Sequence, residues 1–277
     1  MNPQAATHNR WSPSLSANRI LAMILRYIYL LKDSWPRILE MVYWPTVQLL
    51  MWGFISQYLA STTDLFAQAF GLFLAAVLLW DVLFRGQLGV SLSFFEEMWS
   101  RNLGHLMVSP LRPFEFIVAL LTMSLIRTLI GMVPASLLTI WFFGYSVYDL
   151  GLSLVFFFIN LIVMGWSFGI AVSGLVLRWG LGAESLAWAL VFAIAPLCGV
   201  YYPLDVLPAW LLPIAHAIPA SYVFEGMRAI ILHDTVRWDL MLIATSLNGI
   251  YLTGGIGLFY AYFRAARRRG ALLQMGE

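Results

Sequence analysis

Residues 165–169 read Gly-Trp-Ser-Phe-Gly and match G-x-S-x-G, the turn that presents a nucleophilic serine in many hydrolases. That chemistry needs a strand before the serine and a histidine to take its proton. Here the pentad lies inside an apolar run, and His8, His105, His216 and His233 all fall outside the apolar runs. The same spacing puts small residues on one helix face, where membrane helices approach closely, and packing is the preferred reading. Neither H-E-x-x-H nor a G-x-x-x-x-G-K-[ST] phosphate loop occurs, so the chain shows no means of hydrolysing ATP itself. A single cysteine, Cys198, leaves no intramolecular disulfide and no multi-cysteine metal site.

Charges inside apolar runs point to function by default. Asp81 and Arg85 are spaced i, i+4 and can neutralise each other. Arg127 stands alone, about thirteen residues into its run. It is either one half of a buried ion pair, with Asp81 the expected partner, or a water-facing cation that attracts an anionic head group. Trp44, Gln48 and Trp52 fall at i, i+4 and i+8, so two indoles and an amide share one helix face. That stripe suits either helix packing or contact with a lipid tail, an aromatic drug or a sugar ring along a path.

The elements that must carry these residues follow from composition. The chain has 277 residues, 61% hydrophobic and 11% charged. A soluble domain carries roughly 25% charged residues, so this is an all-α integral membrane protein. A net charge of +2 gives no reason to expect nucleic acid. Residues 1–13 are polar and expected to be mobile, and 14–33 have the period of an interfacial helix. Six spans are expected, at about 36–58, 65–88, 114–143, 150–175, 183–201 and 240–263, each near the length a bilayer requires. The whole reads as one domain: a cytoplasmic segment with its interfacial helix (1–35), six spans (36–263) and a cytoplasmic tail (264–277). Arg10, Arg19, Arg26, Lys32 and Arg37 precede the first span, Arg101 and Arg112 follow the second, Arg178 the fourth, and Arg264, Arg267, Arg268 and Arg269 the last. Basic residues stay on the cytoplasmic side, which puts both termini there.

Two stretches between spans carry pattern. Residues 94–116 form a polar island with helical period. Trp99, Leu103, Leu106 and Met107 share one face; Glu97, Arg101 and His105 share another, with Glu97 and Arg101 in the order of a helical ion pair. Ser93 and Glu96 have capping-box spacing, so a new helix is expected to start there, and Pro110 and Pro113 end it. The second stretch, 199–228, is punctuated by Pro203, Pro208, Pro213 and Pro219 and reads as outward helices that re-enter the membrane against protein.

Together these two stretches resemble the ABC transporter type 2 permease family. One is the run Arg101-Asn-Leu-Gly-His-Leu-Met-Val-Ser-Pro-Leu111. The other is Gly199 to Arg228, with Pro203-Leu-Asp-Val-Leu-Pro208, then Pro219-Ala-Ser-Tyr222 and the closing Glu225-Gly-Met-Arg228. His105 departs from the small residue followed by an acid that many members carry after the glycine. The resemblance implies the transmembrane subunit of an ATP-driven exporter in the cytoplasmic (inner) membrane. It implies a homodimer, or a heterodimer with a similar permease, bound to two separate cytoplasmic ATPase subunits that hold ATP and Mg. Glu97, Trp99, Arg101, Leu103, His105 and Leu106 would then form a coupling helix seated in the ATPase. Trp44, Gln48, Trp52 and Arg127 become candidates for the cargo path, and the cargo would be a drug, lipid or polysaccharide. An ATP-independent secondary transporter is the alternative, though no inverted repeat with paired intramembrane acids is visible. A membrane hydrolase is the weaker one.

Overall fold

The computed structural model describes residues 13–62 and 64–269; the polar stretch 1–12, position 63 and the tail from residue 270 lie outside the described residues. The described residues form α-helices and 3-10 turns, with no strand among them. The helices are α1 (Pro13–Lys32), α2 (Trp35–Thr62), α3 (Asp64–Trp99), α4 (Leu103–Val108), α5 (Pro113–Phe143), α6 (Leu152–Trp179), α7 (Ser185–Ile194), α8 (Leu212–Ala217), α9 (Pro219–His233) and α10 (Trp238–Arg268). Five of them, α2, α3, α5, α6 and α10, are long and apolar enough to cross a bilayer. The expected fifth span is divided: α7 has ten residues and is flanked by 3-10 turns at 181–183 and 195–197.

α3 is the axis of the molecule. Its most apolar stretch is 83% buried, against 17% for α2 and 22% for α10, and it packs on α2, α5 and α6. The closest approach to α6 includes the pentad at 165–169. A β-carbon on Gly165 would lie 2.6 Å from the Leu83 carbonyl oxygen, and one on Gly169 would lie 2.7 Å from Val90 Cβ. Only glycine lets the two backbones come this close. On its other side α6 meets α10, where Gly255 packs on the Ser167 carbonyl. The buried Asn248 amide donates to the Asn160 backbone and side-chain oxygens, both at 2.9 Å. Ser167 Oγ donates to the Val163 carbonyl of its own helix at 2.7 Å. Packing is therefore the use of the G-x-S-x-G pentad, since its serine sits mid-helix with its hydrogen bond spent on the backbone.

The expected helix start at Ser93 is absent. α3 runs without a break through 88–99, because Phe94, Phe95 and Met98 are buried in one cluster with Leu88 and Val90 of the same helix. Continuous burial outweighs a local capping signal.

Candidate functional site

The end of the molecule where α3 stops and α5 begins gathers most of the paired charges. Glu97, in the last turn of α3, is 1% exposed. It accepts from Arg26 Nη1 at 2.6 Å and Nη2 at 3.1 Å, and from Asn102 Nδ2 at 2.7 Å. Glu115, in the first turn of α5, accepts from Arg19 Nε at 2.9 Å, Arg19 Nη2 at 2.6 Å, Ser16 Oγ at 2.7 Å and the Arg112 backbone N–H at 2.9 Å. A carboxylate there also meets the positive end of the helix dipole. Arg19 and Arg26 are seven residues apart and so lie on one face of α1. That face crosses the ends of both α3 and α5. The Arg26 guanidinium also lies 5.6 Å from the centre of the Tyr27 ring, and burial of that tyrosine raises its pKa, keeping it neutral. These are charge-assisted, largely two-pronged pairs, the strong kind.

Two expected pairings are corrected here. Glu97 does not pair with Arg101: α3 ends at Trp99, and Arg101 sits in a turn at φ 54°, so the two are not on one helix. Nor does Arg127 pair with Asp81. Asp81 takes Arg85 of its own helix at 2.6 Å. Arg127 Nη2 reaches Glu96 at 3.1 Å, and Arg37 Nη1 approaches the same carboxylate at 3.5 Å. Side chains on a helix lean toward its N-terminus, which carries the Arg127 guanidinium away from Asp81 and toward the end of antiparallel α3.

α4 has only six residues, and it presents its surface unevenly. Leu103 and Gly104 are buried, Leu106 and Met107 half-buried, and Trp99, Arg101, His105 and Val108 exposed. The expected apolar face is thus split, with Leu103 in the core and Trp99 outside it, where its indole donates to Glu184 at 3.2 Å. Of the expected polar face, Arg101 and His105 are outward and Glu97 is inward.

The remaining candidates lie apart. Trp44 is exposed on α2, Gln48 and Trp52 are half-buried, and Trp52 stacks on Tyr201 at 5.0 Å. At the opposite end, Glu225 Oε1 accepts from Arg228 Nη2 at 2.9 Å and from the Leu204 N–H at 3.0 Å. Gly199, at φ +60°, makes the turn that brings the 199–204 loop onto the Arg228 guanidinium. Tyr222 donates to the His216 carbonyl at 2.9 Å. Pro203 precedes the 3-10 turn at 204–206, Pro208 is exposed in the loop after it, and Pro219 starts α9, which packs on α3, α6 and α10. This motif holds a loop to a helix.

The sequence pattern of the ABC-2 type transporter family matches residues 22–232. The chain belongs to that family. Among curated proteins no relative matches it. As an ABC-2 membrane subunit it is a multi-pass membrane protein of a transporter, and the match begins inside α1 and ends inside α9. The pairing of α1 in this permease was missed from sequence, although Arg19 and Arg26 at i, i+7, with acids at span ends in Glu97 and Glu115, were a usable signal.

Proposed function

We propose that the chain is the transmembrane half of an ATP-driven exporter, with α4 and the turn before it as the lever an ATPase moves. The observation that carries this reading is the arrangement at the α3–α5 end. A short helix stands with Arg101 and His105 exposed, while the helix ends beside it are tied to α1 through Glu97 and Glu115. A surface held this firmly from behind, with its side chains exposed in front, can pass a push to the spans. ATP and Mg belong to two partner ATPase subunits, and two permease copies enclose the path. Both termini lie in the cytoplasm, and α7 with its flanking turns makes a sixth crossing, with α8 and α9 re-entering from outside. Closure of the ATPase pair moves α4, α4 moves α3 and α5 as one body, and the two protomers pass an amphiphilic cargo (a drug, lipid or lipid-linked sugar) outward. Trp44, Gln48 and Trp52 on sparsely covered α2 line the path.

Exposed charges on a lever tolerate reversal in the folded protein, whereas reversal against a partner weakens assembly. His105→Glu and Arg101→Glu should leave expression and membrane insertion unchanged but reduce co-purification of the ATPase and stop transport in reconstituted vesicles. Full transport and normal ATPase binding in both variants would reject the lever.

A further inference from the structure

Beside α4 the molecule has a half-open cavity of about 430 Å³ between α4, the 109–113 turn and the end of α10. Met107, Leu111 and Phe263 give it an apolar floor, and Arg267 stands at its mouth. Phe263 and Arg267 are i, i+4 on α10, so the apolar floor and the cation belong to one helix face. Arg264, Arg268 and Arg269 are exposed on the same helix end. Among the described residues no carboxylate lines the cavity, and Arg112 is a second arginine in its lining. Among the described residues, none of Arg264, Arg267, Arg268 and Arg269 makes an ion pair, whereas Arg19, Arg26, Arg37 and Arg127 at this end each hold a glutamate. The cavity also lies near an aromatic layer. Trp99 and Trp179 are exposed at the ends of α3 and α6, and Arg178 sits 5.4 Å from the centre of the Tyr262 ring. Exposed tryptophans at span ends mark the membrane interface.

A cluster of cations at the end of a membrane-length helix, beside an apolar floor, is complementary to an anionic head on an apolar tail. We propose that this cavity binds an anionic phospholipid, its phosphate at Arg267 and its upper acyl chain on Met107, Leu111 and Phe263. An acidic peptide would satisfy the cations but has no use for the apolar floor at interface level. Since α4 forms one wall, the bound lipid braces the lever. The site rests on the bilayer crossings and not on transport, so it is testable without the ATPase.

The test is native mass spectrometry of the purified permease with equal amounts of phosphatidylglycerol and phosphatidylcholine. Phosphatidylglycerol should be retained preferentially. Each of Arg264→Gln and Arg267→Gln should lower that preference about fivefold, the effect of one interfacial cation. Arg237→Gln, at the other end and paired with Asp239, should not. Soluble glycerol phosphate in excess should fail to displace the lipid. Equal retention of the two lipids by the unaltered protein, or an unchanged preference in both α10 variants, would overturn the site. Arg267→Gln that keeps the lipid and loses the ATPase would overturn it too, and would assign the surface to the partner.

Discussion

At the α4 end, Glu97 holds an arginine 71 residues away and Glu115 one 96 residues away. At the opposite end, Glu225 holds Arg228 three residues on, Arg237 holds Asp239 two residues on, and Tyr222 reaches back six residues to a carbonyl. Local pairs shape a loop and leave the relation between helices to packing. Distant pairs fix one helix against another, so the α4 end acts as a body built from α1, α3 and α5. A lever needs that rigidity. The opposite end is closed by short-range ion pairs, and its ties between elements are single neutral or backbone bonds, such as Tyr251 donating to the Ala217 carbonyl at 3.2 Å.

The comparison is broken most directly at Glu97. Glu97→Leu leaves Arg26 beside a buried site and Asn102 without its acceptor, and should cost about 3 kcal/mol in thermal unfolding of the detergent-solubilised protein. Arg26→Leu combined with Glu97→Leu should cost clearly less, because no charge is left unmatched. If the double variant is as unstable as the single one, the distant pair is not what holds α1.

At the opposite end, Glu225→Gln should cost about 1–2 kcal/mol, since the Leu204 N–H keeps a neutral acceptor in place of a charged one. Its effect should stay local, raising hydrogen exchange in 199–206 and leaving α3 unchanged. Spread of exchange into α3 would erase the distinction between the two ends.

Arg127→Leu sharpens the picture within the α4 end. Glu96 keeps Arg37 nearby, so the loss should be about 1 kcal/mol, and Arg37→Leu added to it should cost more than the sum of the two singles. Simple additivity would show that the two arginines do not share the carboxylate.

The smallest effect is expected at Arg101. Its φ of 54° suits glycine better than arginine, so Arg101→Gly should change stability by less than about 1 kcal/mol while still weakening ATPase binding. A large loss of stability would mean that the side chain holds the turn.

Much of the architecture was legible in the residues. Four of the six expected spans appear as long helices within a few residues of their expected bounds, and the interfacial segment expected at 14–33 is a helix at Pro13–Lys32. Those limits follow from apolar run length and from proline and glycine at the ends, which act locally. The span expected at 65–88 extends eleven residues further, to Trp99, because Phe94, Phe95 and Met98 found a core that the sequence does not display. The site was half legible. The polar island at 94–116 was found and its end at Pro110 was right, but its helix starts at Leu103 and not at Ser93, and its expected internal pair gave way to a partner from α1.

Taken alone, the sequence determined that this is a helical membrane protein and where most of its long helices lie, since apolar run length and the prolines and glycines at the ends act locally. Only the tertiary structure decided which charges meet. Glu97 and Arg101 were a reasonable pair by spacing, and Asp81 and Arg127 as charges inside spans. The lean of side chains along antiparallel helices, and the crossing of α1 over the ends of α3 and α5, gave Glu96 to Arg127 and Glu97 to Arg26. Spacing measures distance along the chain, and an ion pair depends on distance through space.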